Sequence, residues 1–101
     1  MDIKAEMIRK SPIKVGTLVK YKSVEDLLAL NQGNIIRFMR CTAKRYADRF
    51  ALITQVICPQ GTYLSFEMYF PDDDSTHAWS YEDEFNVVDD LLEMYRGGAV
   101  V

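Results

Sequence analysis

The sequence predicts a single small α+β domain in which an antiparallel sheet carries two helices inserted between its first two strands. The chain has 101 residues, which is the size of one domain. Residues 12–22 and 50–88 contain the alternating and β-branched stretches typical of strands, whereas residues 23–49 have helical spacing. Residues 23–49 therefore form the predicted insertion, and residues 89–96 form a predicted short C-terminal helix.

The first segment and the first strand differ in pattern. Residues 1–12 are charged and mixed, which fits either an irregular arm or a short helix. From Ile13 onward the pattern has a period of two, with one face formed by Val15, Thr17, Val19 and Tyr21. This alternation predicts a strand with one apolar face.

The insertion begins with a helix N-terminus. Ser23 is a good N-cap residue, Asp26 follows three positions later, and leucines come next. The sequence Asn31-Gln32-Gly33 is expected to end this first helix.

A second, longer helix is predicted over residues 35–50, with Asn34 as its cap. At 100° per residue, one side of this helix collects the apolar residues Ile35, Ile36, Met39, Ala43, Tyr46, Ala47 and Phe50. The opposite side and its flank collect the basic residues Arg37, Arg40, Lys44, Arg45 and Arg49. A strand would mix charged and apolar side chains on both faces, so the helix is favoured.

A hairpin follows the insertion. The β-branched run Phe50–Ile57 leads into Cys58-Pro59-Gln60-Gly61, which supplies Pro and Gly for a turn. In the returning strand, the residues predicted to face the core are Leu64, Phe66, Met68 and Phe70, and those predicted to face outward are Tyr63, Ser65, Glu67 and Tyr69.

The last third of the chain has shorter elements. Residues 71–75 predict an acidic loop, 77–80 a short strand, 81–83 a single turn and 85–88 a final strand. The C-terminal helix over 89–96 starts with acids, ends with a base and is followed by glycine, as the helix dipole and C-cap favour.

These stretches resemble a known family. The segments are Lys14-Val15-Gly16-Thr17-Leu18-Val19, residues 50–56, the strand to Phe70, and Trp79-Ser80-Tyr81-Glu82-Asp83-Glu84-Phe85-Asn86-Val87-Val88. Together they cover about half the chain and resemble the small SH3-like barrel proteins of tailed bacteriophages. The resemblance implies a small antiparallel SH3-like β-barrel without enzymatic activity, used as a virion part, an adaptor or a nucleic-acid-associated protein. The chain departs from the family where two predicted helices replace a short loop.

Charge is distributed unevenly along the chain. The net charge is −3, but residues 1–50 carry eleven Lys and Arg against five Asp and Glu, and residues 51–101 carry one against ten. This asymmetry predicts either two oppositely charged surfaces or an internal charge match. The basic helix face is a candidate surface for nucleic acid or for an acidic partner, although a pI near 5.0 is unusual for a nucleic-acid-binding domain.

Catalytic and metal-binding motifs are missing from the sequence. His77 is the single histidine, and neither a Gly-x-Ser-x-Gly elbow nor a glycine-rich phosphate loop is present. Asp72, Asp74, Thr76 and Asp83 fit calcium-loop positions one, three, five and twelve, but His77 stands where that loop requires glycine. We therefore expect no enzyme activity, cofactor, metal or small-molecule substrate.

No membrane segment is expected either. The longest uncharged apolar stretch, residues 50–58, is far shorter than the roughly 20 residues of a membrane-spanning helix, and the N-terminus lacks a signal peptide. The expected location is the cytoplasm of a host cell or a virion, in line with the phage resemblance.

Four aromatic residues are candidates for partner binding, since Tyr and Trp are enriched at binding hot spots. They are Tyr63, Tyr69, Trp79 and Tyr81. The sequence thus favours a non-catalytic protein–protein interaction module, acting on a protein partner or by self-association as a phage structural component or adaptor. Nucleic-acid binding through the basic helix face is the alternative.

Overall fold

A five-stranded antiparallel sheet organises the part of the chain that the computed structural model describes: residues 2–61 and 63–88, without the side chains of Gln60, Ala78 and Trp79. The strands are β1 (Leu18–Tyr21), β2 (Phe50–Ile57), β3 (Ser65–Phe70), β4 (Ser75–Ser80) and β5 (Phe85–Val87), in the spatial order β4-β3-β2-β1-β5. The helices are α1 (Ile3–Lys10), α2 (Val24–Leu28) and α3 (Arg40–Tyr46). The predicted α+β class is confirmed and two helices lie between β1 and β2, whereas the predicted helix at 89–96 lies outside the described residues.

The strands β2, β3 and β4 pair in sequence order, and the last strand, β5, pairs with the first, β1. β2 has the predicted bounds and pairs with β3, with a register shift between Ile53 and Gln55. β1 lies between β2 and β5, because Val19 pairs with both Ala51 and Val87. The last strand therefore returns to the first, which places the turn before β5 beside the insertion.

Side chains from distant strands meet across the inner face of the sheet. The hydroxyls of Tyr21 in β1 and Ser80 in β4 are hydrogen-bonded, although β2 and β3 lie between those strands. Phe66 in β3 also packs edge-on against Phe85 in β5, with ring centroids 5.5 Å apart. The sheet is consequently strongly curved around its core.

The alternation of β3 is confirmed for the core but fails at its first residue. Phe66, Met68 and Phe70 are fully buried, as their spacing predicts. Ser65, predicted to face outward, is also buried, and its Oγ has no hydrogen-bond partner among the described residues. Near this end of the hairpin, α1 packs against the turn that follows β2 and places the Met7 sulfur 3.4 Å from that of Cys58.

The N-terminal segment adopts the helical alternative. Asp2 caps α1 by accepting from the Lys4 amide, and Lys14 donates to two carbonyls at the helix end. Val15, predicted on the strand face, lies exposed in a turn where Gly16 has a φ of +92°, so the strand starts only at Leu18. Within the described residues, no helix has the length and apolar character to cross a membrane.

The insertion begins as predicted. Ser23 caps α2 by accepting from the Asp26 amide, and Leu27 is fully buried in the core. A tight turn follows, in which Gln32 and Ile35 exchange two backbone hydrogen bonds and Gly33 has a φ of +56°.

The predicted long helix over residues 35–50 is wrong, because helix α3 covers only Arg40–Tyr46. The Asn31 side chain accepts from the Arg37 and Phe38 amides and donates to the Phe38 carbonyl, so it holds this backbone in a non-helical path. Phe38 is buried in place of Ile35, Ile36 and Met39, which are 69%, 69% and 66% exposed. Ala43 and Phe50 of the predicted apolar face are buried as expected.

Candidate functional site

Three elements far apart in the sequence meet at one concave surface, a cavity of about 580 Å³. The loop before α3 contributes Arg37, the segment before β3 contributes Tyr63, and the helical turn before β5 contributes Tyr81. We call this surface the tyrosine groove, and its lining residues are Met7, Arg37, Tyr63, Leu64, Tyr81, Glu82 and Asp83.

The aromatic rings of the tyrosine groove are held in a defined arrangement. Tyr63 and Tyr81 pack edge to face, with centroids 5.6 Å apart and an interplanar angle of 61°. The Arg37 guanidinium lies over the Tyr81 ring, 5.4 Å from its centroid. Burial and the neighbouring Tyr63 raise the pKa of Tyr81. Tyr63 remains 41% exposed, so its ring is available to a partner.

Arg37 is fixed by two acids of the turn before β5. It donates to both Asp83 carboxylate oxygens, at 2.7 and 2.8 Å, and to Glu84 Oε2 at 2.9 Å. Arg37 thereby lowers the pKa of Asp83, whereas burial raises the pKa of Glu84 and Arg37 opposes that rise. A bidentate arginine beside a buried acid ties the insertion to the final strand.

The five residues of the predicted basic face do not lie on one helix. Arg37 precedes α3 and Arg49 follows it, and both are paired with acids. Arg40, Lys44 and Arg45 lie on α3, are exposed, and take part in none of the ion pairs found among the described residues.

Arg49 forms the second link between the two oppositely charged halves. Its guanidinium lies 4.1 Å from the Phe70 ring centroid and makes ion pairs with Asp72 at 2.5 Å and Asp73 at 2.9 Å. Together with the Arg37 contacts, this supports an internal charge match as one cause of the uneven charge along the sequence.

The four aromatic candidates do not form one cluster. Tyr69 lies opposite Leu52 and donates to Asp74 at 2.7 Å, outside the tyrosine groove. Trp79 belongs to β4, but its side chain is outside the described part of the structure. Among the candidates whose side chains the structure describes, Tyr63 and Tyr81 are therefore the two that the fold brings together.

Comparison with known proteins found no match. This holds for protein-family models, for curated proteins and for solved structures. The function must therefore be argued from the geometry of the chain itself.

A second, smaller cavity of about 280 Å³ adjoins the tyrosine groove and shares Arg37 and Tyr81 with it. We call it the aromatic pocket, and its lining residues are Arg37, Phe38, Thr42, Tyr46, His77, Tyr81 and Glu84. The rings of His77 and Tyr46 lie 4.5 Å apart, and His77 Nδ1 is 3.2 Å from the Tyr46 hydroxyl. Burial and the charge of Arg45 lower the pKa of His77, so the imidazole is neutral at pH 7.

His77 lies in the aromatic pocket beside Tyr46. The hydrogen bond of His77 goes to a tyrosine hydroxyl, and no Ser, Thr or Cys is hydrogen-bonded to it among the described residues. A nucleophile held by a base, the usual sign of covalent catalysis, is absent from this part of the chain. The two cavities instead offer aromatic faces and fixed polar groups.

Sequence reasoning found part of this site. It identified Tyr63, Tyr81 and Arg37, and the charge asymmetry gave a signal for the acidic partners of Arg37. It missed the remaining lining residues, among them Met7, Phe38, Thr42 and Tyr46. Tyr46 and His77 are 31 positions apart, and nothing in the sequence pattern shows that they meet.

Proposed function

We propose that the chain is a non-catalytic protein-interaction module that binds a segment of a protein partner in the tyrosine groove. The observation that carries this proposal is the meeting of Tyr63, Tyr81 and Arg37 in one cavity, with Met7 and Leu64 beside them. Tyrosine and arginine are the residue types enriched at binding hot spots, and an apolar surface with a polar rim is typical of such sites.

The loop that leads into the groove supports the same function. Ile35 and Ile36 immediately precede Arg37, and both side chains are largely exposed. Large apolar side chains clustered at a surface mark contact sites. This loop extends the proposed interface beyond the groove.

We further propose that the curved sheet is an SH3-like barrel and that the protein is a phage-encoded structural component or adaptor. Three features support the fold assignment: the order β4-β3-β2-β1-β5, the helical turn at Glu82–Glu84 just before the last strand, and the contact between β1 and β4. The phage origin and the role in a particle or as an adaptor rest on the sequence resemblance.

A selection from a random dodecapeptide library tests the protein-binding proposal. We expect the immobilised chain to enrich peptides whose affinity falls at least tenfold with Tyr63→Ala, the cost of one hot-spot side chain. Tyr69→Ala is the matched control, because Tyr69 is a half-exposed tyrosine outside the groove, and it should change the affinity by less than about twofold. Enriched peptides that bind both variants equally would refute the groove as the site.

Nucleic-acid binding remains a second candidate because Arg40, Lys44 and Arg45 are exposed on one helix without carboxylate partners among the described residues. If all three contact phosphates of duplex DNA, the affinity should fall about fortyfold between 50 and 200 mM salt, from a slope of roughly −0.9 per contact. Fluorescence anisotropy with labelled single- and double-stranded DNA measures this.

The charge-reversal variant for that measurement is Arg40→Glu with Lys44→Glu. Its control is Lys4→Glu on α1, because Lys4 is exposed and takes part in none of the ion pairs found among the described residues. Arg37 is unsuitable because its reversal would break the contacts to Asp83 and Glu84. Loss of binding in the double variant alone would favour the nucleic-acid function, and no binding at 50 mM salt would exclude it.

A further inference from the structure

We infer that the aromatic pocket receives one neutral aromatic side chain, Tyr or Trp, of the protein segment that lies in the tyrosine groove. This inference rests on the proposed function and names the chemistry of the partner. It follows from the walls, the size and the charge of the pocket.

The walls of the pocket are aromatic. Phe38, Tyr46, His77 and Tyr81 contribute four rings to a cavity of about 280 Å³. Aromatic rings pack favourably against one another in offset or edge-to-face arrangements. The volume lies just below the range of roughly 300–1,000 Å³ for drug-sized ligands, so it suits a single side chain.

The charges at the pocket largely cancel, which selects against an ionic side chain. Arg37 is neutralised by Asp83 and Glu84, its partners at 2.7 and 2.9 Å. The Arg45 guanidinium lies 5.7 Å from the centroid of the Tyr46 ring, and its charge acts on His77, so it would repel a lysine or arginine beside these two rings. A buried anion would face Glu84, so a neutral side chain fits best.

Polar groups in the pocket match the polar end of Tyr or Trp. Three residues with polar side-chain atoms, Thr42, Tyr46 and His77, are among the residues that line this cavity. A tyrosine hydroxyl or an indole N–H usually finds a hydrogen-bond partner when it is buried. Phenylalanine would bring no polar atom to these groups.

The adjoining groove favours a protein segment over a nucleic acid. Glu82 and Asp83 line the groove next to the shared residues Arg37 and Tyr81, and their carboxylates would repel a phosphate backbone. An extended peptide places alternate side chains about 6.5–7 Å apart on one side. One side chain can therefore enter the pocket while the next on that side contacts Tyr63.

Titration of the full chain with N-acetyl-tryptophanamide and N-acetyl-tyrosinamide, followed by NMR, tests the pocket without any knowledge of the partner. We expect saturable shifts at the His77 imidazole and the Thr42 amide, and at least tenfold weaker binding of N-acetyl-leucinamide. Thr42→Trp should remove the shifts by filling the pocket, whereas Thr42→Ser should keep them. Shifts confined to Tyr63 and Leu64, or none at the His77 imidazole of the unaltered chain, would overturn the inference.

The selected peptides separate this inference from the proposed function. The inference is supported if the selected peptides share an aromatic residue whose replacement by alanine weakens binding of the peptide to the unaltered protein at least tenfold. The same replacement should not weaken binding of the peptide to the Thr42→Trp protein. Peptides that require Tyr63 but lack such a residue would refute the pocket and leave the groove function intact. Peptides that bind the Tyr63→Ala protein as tightly as the unaltered protein would refute the groove as the binding site. The titration alone would then test whether the aromatic pocket binds an aromatic side chain.

Discussion

Phe66→Ala is expected to lower the free energy of unfolding by about 3–5 kcal/mol, a large part of the 5–15 kcal/mol typical of a domain. Phe66 is fully buried near the start of β3, and its ring packs edge-on against Phe85 across the curved sheet. Removing the ring leaves a cavity where two strands distant in the sheet meet. Urea unfolding followed by circular dichroism measures the loss, and the midpoint of thermal unfolding should fall by at least about 12 °C.

Ile36→Ala is the matched control, because it removes a large apolar side chain that is 69% exposed. We expect its free energy of unfolding to change by no more than about 0.5 kcal/mol. On the buried face of a long helix, the same change would cost about 2–5 kcal/mol. A loss in that range would mean that residues 35–39 are packed in solution, contrary to the structure.

The strands were predictable because their signals are local. The alternation of Phe66, Met68 and Phe70 and the β-branched run from Phe50 to Ile57 each indicate a strand without knowledge of the rest of the chain. Ser23 likewise caps α2 through an amide only three residues away. In these elements local preference and tertiary packing favour the same structure.

The insertion was only partly predictable because its apolar spacing fits a helix that another interaction prevents. The Asn31 side chain bonds the backbone of Arg37 and Phe38, which makes the helix start at Arg40. Ala43 and Tyr46 still pack on the core side as their spacing predicts. A side chain that bonds amides six and seven positions away leaves no periodic signal in the sequence.

The residue types of the candidate site were predictable from the sequence, but which of those residues lie next to each other was not. The tyrosines and Arg37 were identifiable as residue types that bind partners. Their meeting depends on how the turn before β5 is placed, since β5 pairs with β1 and brings Asp83 and Glu84 to the insertion. This pairing of the first and last strands depends on the arrangement of all five strands, so no local sequence pattern indicates it.

Arg37→Ala is expected to lower the free energy of unfolding by about 2–3 kcal/mol, because it leaves Glu84 buried without its cation. The loss of a fully buried partner costs about 3–5 kcal/mol, and a smaller effect applies here because the Arg37 side chain is 27% exposed. Glu84→Gln in the same chain should recover part of the loss, since a neutral amide tolerates burial better than an unpaired carboxylate. Urea unfolding of both single variants and the double variant gives the coupling between the two residues.

The pH dependence of Arg37→Ala provides an independent check with a defined sign. Burial raises the pKa of Glu84 above its unfolded value, so the folded variant takes up a proton first as the pH falls, and its stability relative to the unfolded chain improves. The wild-type chain instead loses stability in acid, because Arg37 lowers the pKa of Asp83 and that stabilisation disappears as Asp83 becomes protonated. The difference between the two proteins should therefore shrink as the pH falls from about 5 to about 3. A difference that stays constant over this range, together with a coupling to Glu84 below about 0.5 kcal/mol, would show that Arg37 acts only through its contact with Tyr81 and not through the buried acid.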